Sequence, residues 1–226
     1  MRLRPVILVA CLIAFVSSHA AEPRARDLAD LTLEQLGNIE ITSVSKRVER
    51  LSDAAASIYV ISAEEIRRSG ATSLPDALRL APNLQVARAD NNQYAITARG
   101  FNSVLANKML VLVDGRAVYS PLFSGVFWEA QDVMLEDVER IEVISGPGGT
   151  LWGSNAVNGV INVITRPAHD TQGALLAAGG GNREKGGAAR YGGELGSGGR
   201  YRVYGKVFDR AHSSRADGTG IRDASD

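Results

Sequence analysis

The sequence contains very little cysteine and no excess of charge of either sign. Cys11 is the only cysteine among 226 residues, so the chain can form no internal disulfide and no thiolate metal site. Lysine plus arginine and aspartate plus glutamate both number 25, which leaves no basic field to attract nucleic acid. We therefore expect no disulfide framework and no nucleic-acid partner.

Long apolar runs are confined to residues 1–20. Arg2 and Arg4 precede an apolar run from Val6 to Val16, and small residues lead up to a cleavage point after Ala20, with the next bond as the alternative. This pattern is typical of a secretory signal peptide, and the run falls short of the roughly 20 apolar residues that a membrane-spanning helix needs. The residues Leu8 to Cys11 resemble the lipobox of a lipoprotein. Because Cys11 lies inside the apolar run, however, ordinary export is favoured over lipidation at this cysteine.

Residues that could carry enzyme chemistry are sparse. His169 and His212 lie in a glycine-rich region, and the sequence has no paired cysteines, no His-x-x-x-His and no nucleophile-elbow pattern. Strand alternation places a group of neighbouring acidic residues mostly on a solvated strand edge: Glu136, Asp137, Glu139 and Glu142. We predict no catalytic residues, no metal site and no cofactor, and hence no enzyme.

After the signal peptide at residues 1–20, we predict three zones, at residues 21–52, 53–167 and 168–226. The first zone is polar, and a charged stretch follows its alternating, strand-like run: Ile41, Thr42, Ser43, Val44 and Ser45. Such a strand serves either as an edge strand of the next domain or as a segment with which another protein pairs.

The middle zone has the pattern of a compact α+β domain. Ser62 and Ser73 each begin a short helix by their capping patterns, and Gly70 ends the first helix. Runs rich in β-branched residues predict strands at 57–61, 84–88, 94–98, 109–113, 141–144 and 160–164. The zone is long enough to build its own core.

A glycine loop lies between the last two of these strands. Gly146-Pro147-Gly148-Gly149 could suggest a phosphate cradle, but no Gly-Lys-Ser/Thr sequence follows it. Leu151 stands where the dinucleotide pattern needs its third glycine, and Pro147 removes one amide donor. Nucleotide binding is therefore disfavoured.

Several motifs, in a fixed order, resemble the plug domain of TonB-dependent outer-membrane receptors. The resemblance runs from about Ser43 to Pro167 and is carried by Arg99, Gly100, Phe101, Asp114, Gly115, Gly146, Pro147, Leu151, Trp152, Gly153, Asn158 and Gly159. It implies a small mixed sheet with short helices, held inside a barrel of about 22 strands in the cell outer membrane. It also implies import of a scarce chelate, a ferric siderophore as the first expectation, driven by the periplasmic protein TonB.

The resemblance extends to particular segments. The run Ile41 to Ser45 is similar to the box that TonB grips, with a plain edge strand as the alternative. In the family, plug arginines pair with barrel glutamates, and Arg99 matches one such arginine. Ser145, however, stands where an arginine usually precedes the Gly-Pro pair. We therefore expect a plug-to-barrel latch that is weaker or built differently.

An aromatic loop separates two predicted strands of the plug. Its large side chains would contact ligand if exposed, or pack against their surroundings if buried: Tyr119, Phe123, Phe127 and Trp128. The sequence leaves both roles open. It also leaves the substrate open, with vitamin B12, haem and oligosaccharides as alternatives to a siderophore.

The third zone is rich in glycine and alternates in polarity. Tyr201, Val203 and Val207 share one side of a predicted strand, while Arg202 and Lys206 share the other. Such alternation is a weak signature of a transmembrane barrel, whose strands face lipid on one side. Residues 171–226 have room for about four strands, whereas a barrel needs at least about eight, so we expect a truncated barrel. The alternative is a soluble periplasmic plug-like binding module without transport activity.

Overall fold

The computed structural model of the chain describes residues 38, 40–41, 49–50, 57–105, 107–122, 124–182, 184–196, 198–213 and 219–220. The predicted signal peptide lies outside these residues. The β-strands are β1 Glu40–Ile41, β2 Glu49–Arg50, β3 Ser57–Ser62, β4 Gln85–Arg88, β5 Tyr94–Thr97, β6 Met109–Val113, β7 Arg116–Ala117, β8 Tyr119–Ser120, β9 Gly125–Val126, β10 Val138–Ser145, β11 Gly159–Thr165, β12 Gly173–Gly180, β13 Glu184–Leu195 and β14 Gly199–Arg210. The α-helices are α1 Ala63–Ser69, α2 Leu74–Ala77 and α3 Gly149–Trp152, and 3-10 turns follow at Leu78–Leu80, Trp128–Ala130, Leu135–Asp137 and Ala168–Asp170.

The two predicted helix starts are confirmed. The Ser62 hydroxyl accepts a hydrogen bond from the Glu65 amide at 3.2 Å, and the Glu65 carboxylate accepts one from the Ser62 amide at 2.8 Å. This reciprocal pair satisfies two amides that the first turn of α1 would otherwise leave unpaired. Ser73 caps α2 through its hydroxyl, which accepts a hydrogen bond from the Asp76 amide at 3.4 Å.

A five-stranded mixed sheet forms the centre of the first domain, in the order β3-β10-β11-β6-β7. The pairs β3–β10, β10–β11 and β6–β7 are antiparallel, whereas β11 and β6 are parallel. All the strands predicted in the middle zone are present within a few residues of their predicted bounds. Three further strands, β7, β8 and β9, are too short to stand out from the sequence pattern.

Both faces of this sheet are covered. On one face, α1, α2 and the 3-10 turn after α2 bury Ile66, Leu74 and Leu78 against strand residues such as Ile141 and Ile161. The opposite face carries a smaller cluster that includes Leu110, Ile144 and Val160, with Trp152 packed against it. Because both faces are covered, the central strands have apolar residues in nearly continuous runs rather than in alternation.

The acidic residues on β10 and just before it are not all solvated, contrary to the sequence prediction. Glu136 and Glu139 are exposed, but Asp137 and Glu142 are 2% and 0% exposed. Glu142 forms an ion pair with Arg140, 2.9 Å between the carboxylate and Nε. Simple alternation failed here because both faces of β10 are packed, so an inward carboxylate has to be paired with a cation.

The second sheet is antiparallel, in the order β12-β13-β14. Its apolar side chains point away from the first domain, with Leu176, Val203 and Val207 exposed to 83%, 65% and 73%. Its charged side chains Arg190 and Arg202 are turned the other way and contact the first domain. The predicted alternation of this zone is thus confirmed, with three strands described. No helix among the described residues is long and apolar enough to cross a membrane.

Candidate functional site

The motifs that the sequence singled out gather at two ends of the mixed sheet. At one end, the loop after β10 is closed by hydrogen bonds from the Gly146 amide to the Asn158 carbonyl at 2.9 Å and from the Gly148 amide to the Ala156 carbonyl at 2.8 Å. Helix α3 lies within this loop, and its Leu151 is exposed. The backbone of the loop is thus held by its own hydrogen bonds.

Asn158 connects this loop to the motif around Arg99. The Asn158 side-chain amide donates to the carbonyl of Gly100 at 3.3 Å and lies 3.4 Å from the Thr97 hydroxyl. The Thr97 hydroxyl also donates to the Gly100 carbonyl, at 2.9 Å. Since Asn158 is only 8% exposed, these contacts satisfy a buried amide and fix the turn that follows β5.

That turn has an unusual backbone. Arg99 and Phe101 both have positive φ angles, 59° and 58°, on either side of Gly100, a conformation that residues with a Cβ rarely adopt. The turn leaves Phe101 76% exposed and Arg99 exposed as well. Within the described residues, Arg99 makes no ion pair.

Gly159 explains why one signature position admits only glycine. A Cβ at this position would lie 2.2 Å from the carbonyl oxygen of Ile144 on the neighbouring strand β10. Real atoms do not approach so closely, and the obstacle is backbone, which cannot rotate away. The glycine lets β11 lie against β10 at the start of their pairing.

Ser145 is the position at which the sequence departs from the family pattern. It is the last residue of β10, it is 9% exposed, and among the described residues its hydroxyl has no hydrogen-bond partner. Arg99 lies close by, with its Nη2 3.9 Å from where a Cβ on Gly146 would be. A serine can occupy this position, but it supplies no charge there.

At the opposite end of the sheet, Asp114 joins two strands. Its carboxylate accepts hydrogen bonds from the Thr165 amide at 2.8 Å and from the Thr165 hydroxyl at 2.9 Å. Asp114 and Gly115 form the tight turn between β6 and β7, with φ angles of 50° and 77°, as the predicted turn requires. The motif therefore ties the end of β11 to the end of its parallel neighbour β6.

This end also contacts the second sheet. The carboxylate of Asp137 lies between Arg190 of β13, to which it is directly hydrogen-bonded, and Arg202 of β14, whose Nε is 3.4 Å away. The sequence pattern placed Arg202 on the polar side of its strand, but it predicted neither Arg190 nor the contact with Asp137. The available signal was their position on the polar side of alternating strands, which turns them toward the plug.

The aromatic loop is divided between core and surface. Trp128 is buried in the main cluster, while Tyr119 and Phe127 are half-buried. Phe123 lies outside the described residues. Of the two roles predicted for the loop, ligand contact or packing, Trp128 therefore has the packing role.

A small concavity lies beside this segment. Its lining includes Tyr94, Val104, Phe127, Trp128 and Glu129. Partial burial raises the pKa of the Glu129 carboxyl above its ordinary value, and the nearby charge of Asp90 raises it further. The concavity thus combines aromatic side chains with one acidic group.

Of the segment predicted to pair with TonB, one residue is described. Ile41 lies in β1, which pairs antiparallel with Glu49–Arg50, and its side chain is fully buried. The partner strand Glu49–Arg50 comes from the charged stretch that follows the run. Thr42, Ser43, Val44 and Ser45 lie outside the described residues.

Known proteins resemble this chain in sequence. Residues 50–160 match the family model of the TonB-dependent receptor plug domain. The chain is 35% identical over 150 residues to the vitamin B12 transporter BtuB of Vibrio vulnificus, which is 66% of this chain and 24% of that protein. It is 40% identical over 121 residues to an iron-regulated outer membrane virulence protein of Vibrio cholerae, 51% of this chain and 18% of that protein.

Solved structures resemble it in fold. The ferric-catecholate import receptor Fiu of E. coli K12 superposes with a TM-score of 0.59 at 26% identity, covering 77% of this chain and 24% of that one. The alcaligin outer membrane receptor FauA of Bordetella pertussis gives a TM-score of 0.61 over 81% of this chain and 32% of its own, at 20% identity. The second likeness concerns the fold alone.

The mixed sheet, the short helices and the gathered motifs define a plug domain. The chain belongs to the TonB-dependent receptor family, whose members are transporters and receptors rather than enzymes. Within the part of the chain that the structure describes, the plug domain is followed by three antiparallel strands that form an open sheet rather than a closed barrel. The chain spans 24% or less of the length of the two relatives given above.

Proposed function

We propose that this chain is the front part of an outer-membrane receptor that imports a scarce chelate, with a ferric siderophore as the first candidate. The observation that carries the proposal is the orientation of the strands after the plug. Arg190 and Arg202 face the plug, while Leu176, Val203 and Val207 face outward. An apolar outer face and a polar inner face suit the wall of a membrane barrel that encloses the plug.

The same orientation bears on the alternative, a soluble periplasmic plug-like module without transport activity. Such a module would expose the apolar face of β12–β14 to water, and contiguous apolar surface of this kind favours aggregation. The outer membrane is therefore the proposed location. The proposed organisation is a signal peptide at 1–20, a TonB-binding segment within 21–52, the plug at 53–167 and barrel strands within 168–226.

The relatives favour two substrate classes. One is named a vitamin B12 transporter and another an iron-regulated outer membrane protein. A strain that lacks the gene separates these classes when it is grown on a ferric siderophore as sole iron source or on limiting vitamin B12. Loss of growth on siderophore iron supports the first candidate, loss on vitamin B12 supports the second, and loss on neither argues against both.

The segment Ile41 to Ser45 is the proposed TonB box. Pairing with TonB as an added strand needs a backbone amide at each bonded position, and proline has none. We expect Val44→Pro to abolish uptake while leaving substrate binding to whole cells unchanged. Val44→Thr, which keeps a β-branched side chain, serves as the control and should import normally. Undiminished uptake by Val44→Pro would remove this assignment.

The concavity beside the aromatic loop is the proposed ligand-facing surface. Phe127 lines it and is half-buried, Tyr119 is half-buried in the same loop, and Trp128 supports the loop from the core. Phe127→Ala should weaken substrate binding to whole cells without changing the amount of receptor in the membrane. Unchanged binding would place the ligand surface elsewhere.

A further inference from the structure

Charged side chains join the plug to the second sheet at the end of the plug sheet away from Gly146. The side chain of Asp137, 3% exposed, contacts Arg190, 6% exposed, and Arg202, 18% exposed. The three residues come from three different elements: the 3-10 turn before β10, and the strands β13 and β14. Asp137 and Arg190 are 53 positions apart in the sequence. Because one belongs to the plug and the other to the second sheet, they are in contact only when the two are docked.

Arg202 extends the contact into the backbone of the plug. Its Nη1 donates to the carbonyl of Arg166 at 2.7 Å and its Nη2 lies 3.3 Å from the Thr165 hydroxyl. Thr165 is itself held by Asp114, and the Arg166 amide donates to the carbonyl of Asp137 at 2.8 Å. The arginine therefore reaches both the acidic side chain and the end of β11.

Three further hydrogen bonds follow the same interface. Lys206 of β14 donates to Asp132 at 2.6 Å and to the carbonyl of Thr72 at 3.1 Å. The Thr72 hydroxyl donates to Glu184 of β13 at 3.0 Å. In the ion pairs of Asp137 and Asp132, the plug supplies the acid and the strands supply the base.

Burial distinguishes the two ion pairs of Asp137 from ordinary surface ion pairs. Removing one partner of a buried pair leaves an uncompensated charge in a poorly solvated site, which is costly. An exposed pair on the same two strands, Lys185 with Asp209 at 3.0 Å, has side chains 72% and 56% exposed, and such pairs contribute little. The ion pairs of Asp137 are therefore expected to stabilise the docking of the two sheets, whereas the exposed pair within the second sheet is not.

We propose that Asp137, Arg190 and Arg202 form an intramolecular latch that fixes the plug to the strands β13 and β14. Its polarity is acid on the plug and base on the wall, and it lies at the end of the sheet opposite Ser145 and Arg99. The latch goes beyond the proposed transport function, because it concerns how the two sheets are held together whichever substrate is carried.

The test uses the full chain in detergent micelles and follows amide hydrogen exchange strand by strand. Asp137→Asn leaves two guanidinium groups facing a neutral amide, that of Arg190 buried and that of Arg202 partly buried. We expect amides of β13 and β14 to exchange at least tenfold faster, with those of β3 unchanged. Asp209→Asn, the matched control on the exposed pair, should change neither. Equal exchange in wild type and Asp137→Asn would overturn the proposal.

A second variant covers failure of Asp137→Asn to fold. The triple variant Asp137→Asn, Arg190→Gln, Arg202→Gln removes both signs of charge and leaves groups that can hydrogen-bond one another. Recovery of folded protein and of slow exchange in the triple variant supports the latch, since the defect then came from unpaired charge. Failure of both variants would overturn it. Neither readout depends on transport, so this result stands apart from the outcome of the uptake assays.

Discussion

The plug sheet and the second sheet bury opposite kinds of side chain. In the plug, Ile141 and Ile161 are fully buried and both faces of the sheet are covered. In the second sheet, Val203 and Val207 are exposed while Arg190 is buried against the plug. A water-soluble domain has its apolar residues inside, so the arrangement of the second sheet fits the proposed barrel wall, with lipid on its outer face and the plug on its inner face.

The largest expected effect is in the plug core. Ile161→Ala removes buried methyl groups from a site that is 0% exposed, and such truncations cost about 2–5 kcal/mol of unfolding free energy. Val207→Ala, at a side chain 73% exposed, is the matched variant in the second sheet and should leave the stability of the plug unchanged. Equilibrium denaturation of the full chain measures both. Similar losses in the two variants would contradict the contrast between the sheets.

The outward face of β14 is tested by adding charge. If Val207 faces lipid, Val207→Arg should disfavour membrane assembly by about 2–4 kcal/mol when the residue lies near the bilayer midplane. The amount of folded receptor in outer-membrane fractions reports the effect. The control is Gly205→Ala, on the same strand with nothing within 4 Å of the added Cβ. Normal assembly of Val207→Arg would mean that this face does not meet lipid.

A smaller loss is expected where two plug strands lie closest. Gly159→Ala would place a Cβ 2.2 Å from the Ile144 carbonyl oxygen, and relieving such overpacking typically costs about 1–3 kcal/mol. Gly205→Ala in β14 meets nothing and should be neutral. The unfolding midpoints of both variants, compared with that of the wild type, measure the two changes in stability. An undisturbed Gly159→Ala would show that β10 and β11 can separate freely at this position.

Local structure could be predicted from the sequence because its causes are local. The capping residues Ser62 and Ser73 lie three positions from the amides they satisfy, and the Asp114-Gly115 turn follows directly from the residues that form it. The buried Asp137 could not be predicted, since its partners Arg190 and Arg202 are distant in the chain. Alternation assumed one solvated face, and that assumption fails for a strand packed on both faces.

For the candidate site, too, the sequence predicted the local motifs but not the contacts between distant residues. The order of the motifs located the glycine loop and Asn158, but it did not show that the Asn158 amide reaches the carbonyl of Gly100. The sequence could not decide between ligand contact and packing for the aromatic loop, because the burial of its side chains depends on their neighbours in space. Trp128 is buried in the core whereas Phe127 is half-buried, although both are large aromatic residues next to each other in sequence.

The smallest expected effect distinguishes two carboxylates of the plug. Asp137 faces arginines, whereas Glu129 is close to Asp90, and burial together with that like charge raises the pKa of Glu129 above its ordinary value of 4.5. In the folded state the proton is therefore held more tightly than in the unfolded chain. The resulting stability is fully present below the unfolded pKa and is lost as the pH rises through the folded pKa.

Because the burial of Glu129 is only partial and much of the residue remains exposed to water, this contribution is small and solvent screens it. Urea midpoints measured at increasing pH above 4.5 should fall slightly more steeply for wild type than for Glu129→Gln, which cannot ionise. Asp90→Asn, which removes the second cause but leaves the burial, should give an intermediate slope. A steeper fall in Glu129→Gln than in wild type would reverse the sign and show that the Glu129 carboxylate is stabilised, not opposed, by its surroundings.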